Sequence, residues 1–216
     1  MSKKTLTVFA LLVVVLVSVS LVAAQGQLPG SGWKSGQQIQ NVGNANASIV
    51  FQAYDTSGAP FNCGSDTVAP GASTNVLTDS DCPVPAGFVG SAVVSADQPI
   101  AAIVNVNNRP TGTAAGQYRG TDGADVNTTI AFPLVKNAFN GRTTTFYVQN
   151  ANTGTNNITA TFRVEGQTYP KSFPNVPGNA MVVISPADAG VPAGKVGSLT
   201  VTGSQALAGT SLEHEA

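Results

Sequence analysis

Two stretches of the sequence, PAGFVGSAVV at residues 85–94 and PAGKVGSLTV at residues 192–201, repeat each other 107 positions apart. Further matches follow in the same order. The segment IQNVGNANASIVF from Ile39 matches VQNANTGTNNITA from Val148 at an offset of 109. The offset falls from 109 to 107 along the chain, as expected if the second copy has lost two residues from a loop. Solenoid repeats have periods of about 20–50 residues, so this period of about 108 residues indicates a tandem duplication of a complete small domain.

Apolar residues alternate with polar ones in both copies. Ile49, Phe51 and Ala53 share one side of a predicted strand in the first copy, and "ITATFRV" from Ile158 repeats the alternation in the second. Period two is typical of a strand with one buried face, and Pro and Gly interrupt the pattern about every ten residues. We therefore predict an all-β protein: two tandem immunoglobulin-like antiparallel β-sandwich domains of about seven strands each, after an N-terminal signal helix.

The repeated motifs, written QN.G, PG.S and P.GF.GSAVVS.DQPIAA.VN, resemble those of secreted bacterial surface proteins built from tandem immunoglobulin-like modules. The resemblance runs from about Ile39 to the C-terminus and is strongest in the first copy. In the second copy Lys195 stands at the position of Phe88, and Ala206 at that of Pro99. The resemblance implies export and β-sandwich modules, and it carries no catalytic residues with it.

The predicted organisation begins with a signal peptide at residues 1–24. Lys3 and Lys4 precede an apolar run, and Val22 and Ala24 supply small residues for cleavage after Ala24. An uncleaved membrane anchor is the alternative, because the 17-residue run is close to the shortest length that spans a bilayer. The other predicted parts are domain 1 at residues 25–109, a Gly-rich linker at 110–127 and domain 2 at 128–216.

One predicted strand has no partner in the duplication. The segment IAFPL at 130–134 corresponds, at an offset of 109, to residues 21–25 at the end of the signal segment. Either this strand bridges the two domains, or domain 1 has an open sheet edge. An open edge can accept a strand from another chain.

The composition argues against several functions. Only 10% of residues are charged and the net charge is −1, so no basic surface is available for nucleic acid. The single histidine, His214, is the third residue from the end, where we expect poor order, and no nucleophile–base pair is evident. We predict no enzymatic activity and no cofactor. An extracellular hydrolase remains the third hypothesis.

The two cysteines, Cys63 and Cys82, lie in the exported part of the chain. An even cysteine count in a secreted protein favours a disulfide bond over metal or redox chemistry. We predict that the bridge pins a long polar loop between the two residues.

Two pairs of carboxylates are the candidate calcium ligands: Asp79 with Asp81, and Asp122 with Asp125. Surface loops can bind Ca²⁺ through such oxygens, although turn capping by aspartate explains the same positions. Neither pair has the spacing of an EF-hand loop. Trp33 is the candidate ligand contact, because an exposed aromatic ring can stack on a sugar.

These observations predict a non-catalytic structural or adhesion protein, secreted or at the cell surface, that self-assembles through the open edge of domain 1. Its partners are then other copies of the chain, in an oligomer or filament, or components of the cell envelope. Contact with a membrane is expected only through an uncleaved signal segment. The alternative is an extracellular module that binds carbohydrate or a calcium-dependent ligand.

Overall fold

A computed structural model of the chain describes residues 28–109 and 111–215, and its described part is an all-β structure of antiparallel strands. The predicted signal segment, with its cleavage position after Ala24, lies outside the described residues. The strands are β1 (Lys34–Asn41), β2 (Ala47–Asp55), β3 (Pro60–Val68), β4 (Ser73–Leu77), β5 (Gly90–Ala96), β6 (Ile100–Asn107), β7 (Ala115–Arg119), β8 (Asn127–Asn137), β9 (Arg142–Asn150), β10 (Asn156–Val164), β11 (Gln167–Val176), β12 (Met181–Ile184) and β13 (Lys195–Glu215).

The first repeat consists of two facing sheets. One has the strand order β4-β1-β6-β7 and the other has the order β3-β2-β5. Ile39 of β1 and the alternating residues Ile49, Phe51 and Ala53 of β2 are buried between them. The alternation in the sequence therefore marks the inner face of a sandwich-like unit, because neighbouring residues of a strand point to opposite faces.

The second repeat has the same strand order in a single connected sheet. Strands β11, β10 and the first half of β13 correspond to β3, β2 and β5, while β12, β9 and the second half of β13 correspond to β4, β1 and β6. Phe146, Phe162 and Leu199 lie at the centre of its core. Gly32 and Gly141, equivalent in sequence, have φ of 72° and 71°, so the duplication is also visible in the backbone.

Strand β13 differs from the sequence prediction. The match of GSLTVTGSQALAG with GSAVVSADQPIAA predicts a turn near Gly203–Gln205 like the one between β5 and β6, but the chain stays extended through a register shift between Thr202 and Leu207. The buried Asn156 explains the difference. Its Oδ1 accepts hydrogen bonds from the Gln205 amide at 3.0 Å and from the Ser204 hydroxyl at 3.1 Å. An alanine, Ala47, stands at the equivalent position of the first repeat.

The segment predicted as a linker, residues 110–127, contains strand β7, which pairs with β6 and extends the first sheet to Arg119. The sequence signal was too weak to predict it, because Tyr118 is the only large apolar residue in its five positions. The backbone hydrogen bonds that the edge of β6 offers are enough to hold such a strand.

A buried asparagine joins loops at equivalent places in the two repeats. Asn41 and Asn150 come from the QN motifs, and both side chains are inaccessible to solvent. Asn41 Nδ2 donates to the carbonyl oxygens of Ala45 at 2.7 Å and Val68 at 2.8 Å. Asn150 Nδ2 donates in the same way to Gly154 at 2.7 Å and Pro177 at 2.9 Å. The repeated asparagine therefore has a structural role.

The two repeats lie against each other: the Ser91 hydroxyl donates to the Asn179 carbonyl at 3.4 Å, and two tyrosines lie near each other elsewhere between the repeats. Tyr118 of β7 lies near Tyr147 of β9, and the neighbouring Gly116 lies against Leu212 of β13. Burial raises the pKa of Tyr118. Burial, and then the neighbouring Tyr118, raise the pKa of Tyr147 to about 12. Both phenols therefore resist ionisation while the protein is folded.

This pair predicts a loss of stability in alkaline solution. An unfolded tyrosine ionises near pH 10, so the unfolded chain releases a proton that folded Tyr147 retains until about pH 12. The free energy of unfolding should therefore fall between about pH 10 and pH 12. Urea unfolding across this range should show the fall, and Tyr147→Phe should reduce it. An identical pH dependence in the two proteins would contradict the assignment.

Candidate functional site

The most distinctive feature of the described structure is the free edge of β5. In the second repeat, the first half of β13 lies between β10 and β8 and pairs with both. In the first repeat, β5 pairs with β2, and within residues 28–109 and 111–215 no strand pairs with its other edge. The backbone groups along that edge are thus available to another strand.

Apolar side chains beside this edge are incompletely covered. Ala92 and Val94 lie opposite Ala53 and Phe51 of β2, so they face the core, yet Ala92 is exposed and Val94 is half-buried. Their counterparts in the second repeat, Leu199 and Val201, are fully buried. We call this region, formed by β5 and the inner face of β6, the open seam.

Strand β8 covers the equivalent region of the second repeat. Its Ile130 and Phe132 pack on the core, and the Phe132 ring meets the edge of the Phe146 ring with centroids 4.9 Å apart. The position of Phe146 is occupied in the first repeat by Gln37, whose Nε2 donates to Thr78 Oγ1 at 3.3 Å. The first repeat thus lacks both aromatic residues of that contact within its described part.

The predicted disulfide bond between Cys63 and Cys82 is confirmed. The segment that it encloses is not the loop that we expected, because it contains most of β3, all of β4 and a single helical turn, α1 (Thr78–Asp81). Cys63 lies within β3, and Cys82 directly follows α1 and is buried. The bridge therefore ties β3 to the segment that follows β4 and α1.

Removing the bridge should destabilise the first repeat specifically. Replacing both cysteines by serine releases a constraint across 19 positions and should lower the free energy of unfolding by about 2–3 kcal/mol. Trp33, the only tryptophan, begins the first repeat, so its fluorescence can follow this transition in urea. If its midpoint did not move, the bridge would have no stabilising role.

The first candidate calcium pair is engaged in contacts within the protein. Asp79 forms an ion pair with Lys34, with Oδ2 2.5 Å from Nζ, and this hydrogen bond to Lys34 lowers the pKa of the carboxyl. Asp81 Oδ2 accepts a hydrogen bond from the Leu77 amide at 2.8 Å. Asp81 therefore caps the turn, whereas Asp79 is held by its ion pair with Lys34.

The second pair lies in the loop between β7 and β8. Asp122 Oδ1 accepts a hydrogen bond from the Ala124 amide at 2.9 Å, and Asp125 Oδ2 forms an ion pair with Arg119 Nη2 at 2.6 Å. Within the described part of the chain, no group of three or more His, Cys, Asp or Glu side chains is placed to hold a metal ion.

Trp33 and His214 both lie in the described part of the chain. Trp33 is half-buried and its indole N–H donates to the Pro29 carbonyl at 2.9 Å. His214 is part of β13, so the expectation of poor order at this position was wrong: nine pairs with β9, from Leu207 to Glu215, hold the strand. Its Nε2 lies 2.9 Å from Thr145 Oγ1, and among the described residues its hydrogen-bond partners include no carboxylate.

A surface that the sequence did not predict covers the outer face of β4, β1 and β6, where the exposed Leu77 lies among amide side chains. It forms a depression of about 440 Å³. The side chains of Gln38, Asn75 and Asn105 line it, and Lys34 and Asp79 lie at one end. The sequence does contain an indication of this surface. In KSGQQIQN polar residues occupy the alternate positions that lie on the outer face of the strand.

The described part of the chain contains no helix that is long and apolar enough to span a membrane. Comparisons with models of protein families, with curated proteins and with solved structures found no match to this chain.

Proposed function

We propose that this chain is a non-catalytic structural or adhesion protein, secreted or held at the cell surface, whose copies associate through the open seam of the first repeat. The observation that carries this proposal is the free edge of β5 with Ala92 exposed beside it. A free sheet edge flanked by apolar residues is a template for pairing with another strand. Cell-envelope components are the other candidate partners.

Several observations support the assignment to the cell exterior. The disulfide bond between Cys63 and Cys82 is compatible with an oxidising compartment. The two sandwich-like repeats agree with the immunoglobulin-like modules that the motif resemblance implies, and such modules serve as spacers and contact surfaces. An apolar segment with the features of a signal peptide precedes them.

Light scattering after size-exclusion chromatography tests the self-association of residues 25–216. We expect particles larger than one chain as the concentration rises, and filaments by negative-stain microscopy if each copy both offers and accepts an edge. Ala92→Lys places a charge on the seam and should abolish the association. Val50→Lys is the matched control, because Val50 is exposed on β2, which lies between β3 and β5. A monomer at every concentration would contradict self-association.

The amide-rich depression favours a second candidate function, the binding of extracellular carbohydrate. Side-chain amides donate and accept hydrogen bonds at once, which suits the hydroxyl groups of a sugar, and Gln117 Nε2 already donates to Asn105 Oδ1 at 2.7 Å beside the depression. A glycan array tests this candidate. Gln38→Ala should remove any signal that the depression causes, and melting with Ca²⁺ or EDTA tests whether binding depends on calcium.

A further inference from the structure

Three triplets of the form Asn-x-Ser/Thr occur in the chain, beginning at Asn46, Asn127 and Asn157. Such a triplet is the acceptor for an N-linked glycan in an exported protein. The triplet specifies residue types only, so the fold decides which of the three asparagines a transferase can engage. The structure surrounds the three triplets differently.

The triplet at Asn157 is held inside a sheet. It belongs to β10, which pairs with β11 on one side and with β13 on the other. Asn157 Oδ1 accepts a hydrogen bond from the Asn175 amide at 2.9 Å, and the Asn157 amide donates to Ser204 Oγ at 3.0 Å. A transferase would have to break these contacts before it could bend the triplet.

The triplet at Asn46 is divided between a turn and a central strand. Asn46 is exposed directly before β2, but Ser48 lies in β2, which is hydrogen-bonded to β3 and β5. The Ser48 amide donates to Asp97 Oδ1 at 2.7 Å. The hydroxyl residue of this triplet is thus held in the sheet, away from the asparagine that it would have to assist.

The triplet at Asn127 is exposed throughout. Asn127 is the first residue of β8 and follows the exposed loop residues 121–125, and the triplet residues 127–129 are themselves exposed. Strand β8 pairs with β13 on one side, and within the described ranges no strand pairs with its other side. A second protein can therefore approach this triplet from the loop and from the edge of the sheet.

The local conformation at Asn127 is also suited to an acceptor. Asn127 Oδ1 accepts a hydrogen bond from the Thr129 amide at 3.2 Å. This contact, from an asparagine side chain to the backbone two residues on, is an Asx turn. It folds the triplet so that Thr129, the hydroxyl residue, lies beside the side-chain amide of Asn127. Neither of the other two asparagines makes this contact with the hydroxyl residue of its own triplet.

We propose that Asn127 is an N-glycosylation site whose donor is a lipid-linked oligosaccharide diphosphate. Asn127 Nδ2 attacks the anomeric carbon of the donor sugar, and the bond from that carbon to the diphosphate oxygen breaks. The lipid diphosphate leaves with the electron pair, and the Nδ2 proton passes to a base of the transferase. The site shares no residue with the open seam. It rests on the export part of the proposed function, because this modification belongs to secreted chains.

Peptide mapping tests the site on the purified full chain, incubated with an oligosaccharyltransferase and its lipid-linked oligosaccharide. Trypsin cuts after Arg119 and Lys136, and Asn127 is the only asparagine of the resulting peptide 120–136. We expect the mass of a glycan on this peptide and on neither of the peptides that carry the other two triplets. No glycan on peptide 120–136 would overturn the proposal.

Three substitutions identify the acceptor atom and the hydroxyl residue. Asn127→Gln and Thr129→Ala should each abolish the added mass, because the first displaces the attacking nitrogen and the second removes the hydroxyl group. Thr128→Ala is the matched control, since Thr128 is exposed between them and is the unrestricted residue of the triplet; it should leave the modification unchanged. Added mass that persists in Asn127→Gln would overturn the assignment.

Synthetic peptides separate the fold from the sequence. Short peptides that contain each of the three triplets should all be accepted, whereas the folded chain should be modified at Asn127 alone. Modification of the folded chain at Asn157 to the same extent as at Asn127 would overturn the structural argument, and so would failure of the Asn127 peptide.

Expression of the full chain in cells that carry the transferase outside the cytoplasm distinguishes this proposal from the proposed function. A glycan that is added to the purified chain but not in these cells means that the site stands and export fails. A glycan in both experiments, with residues 25–216 monomeric at every concentration, means that the site stands and self-association fails. A purified chain that gains no glycan at Asn127 overturns the site, whatever the light scattering shows.

Discussion

Replacing Phe146 by alanine should lower the free energy of unfolding of the second repeat by about 3–5 kcal/mol, the usual range for a buried phenylalanine. The side chain is inaccessible to solvent, and its ring lies between the rings of Phe132 and Phe162, with centroid distances of 4.9 and 6.0 Å. Truncation would leave a cavity where β8, β9 and β10 meet. Urea unfolding followed by circular dichroism measures the loss.

The equivalent position of the first repeat supplies the control. Gln37→Ala removes one hydrogen bond, from Gln37 Nε2 to Thr78 Oγ1. It should lower the free energy of unfolding of the first repeat by only about 1 kcal/mol. The Trp33 transition of the first repeat should move with Gln37→Ala and stay in place with Phe146→Ala. A loss below about 1.5 kcal/mol for Phe146→Ala would mean that the second core does not depend on this aromatic contact.

Replacing Asn150 by alanine should lower the free energy of unfolding of the second repeat by about 3 kcal/mol. Asn150 Nδ2 donates to the carbonyl oxygens of Gly154, Val176 and Pro177, and its Oδ1 accepts from Asn156 Nδ2 at 3.2 Å. Each buried group that loses its partner costs about 1–3 kcal/mol. Urea unfolding again measures the loss, and Asn127→Ala, at an exposed position of β8, should leave stability within about 0.5 kcal/mol.

Asn150→Asp separates the donated hydrogen bonds from the packing of the side chain. The aspartate has the same size, but its carboxylate has no hydrogen to donate and places a negative charge against carbonyl oxygens. At neutral pH it should therefore destabilise the second repeat at least as much as alanine does. A fully stable aspartate variant would show that the carbonyl oxygens find other donors.

The duplicated motifs predicted the all-β class and the alternation of the inner faces, because both copies contain the same local pattern. The disulfide bond was predicted separately, from the two cysteines of the first copy. The alignment of residues 130–134 with residues 21–25 predicted either a bridging strand or an open edge of domain 1, and among the described residues no strand pairs with the outer edge of β5. The depression on the outer face of β4, β1 and β6 was not predicted from the sequence. Its lining residues are far apart in sequence, and antiparallel pairing alone brings Gln38 of β1 beside Asn75 of β4.

For segments with strong alternation, such as β2 and β10, the sequence by itself determined that a strand forms and which of its faces is buried, since successive side chains of a strand point to opposite faces. Only the tertiary structure decided how strand edges are used. The weakly patterned segment Ala115–Arg119 became a strand because β6 offered it hydrogen bonds. Residues 195–215 stayed one strand because the buried Asn156 holds the bulge that replaces a turn. Edge pairing depends on backbone C=O groups, which every residue carries, and on N–H groups, which only proline lacks, so side-chain patterns report on it only weakly.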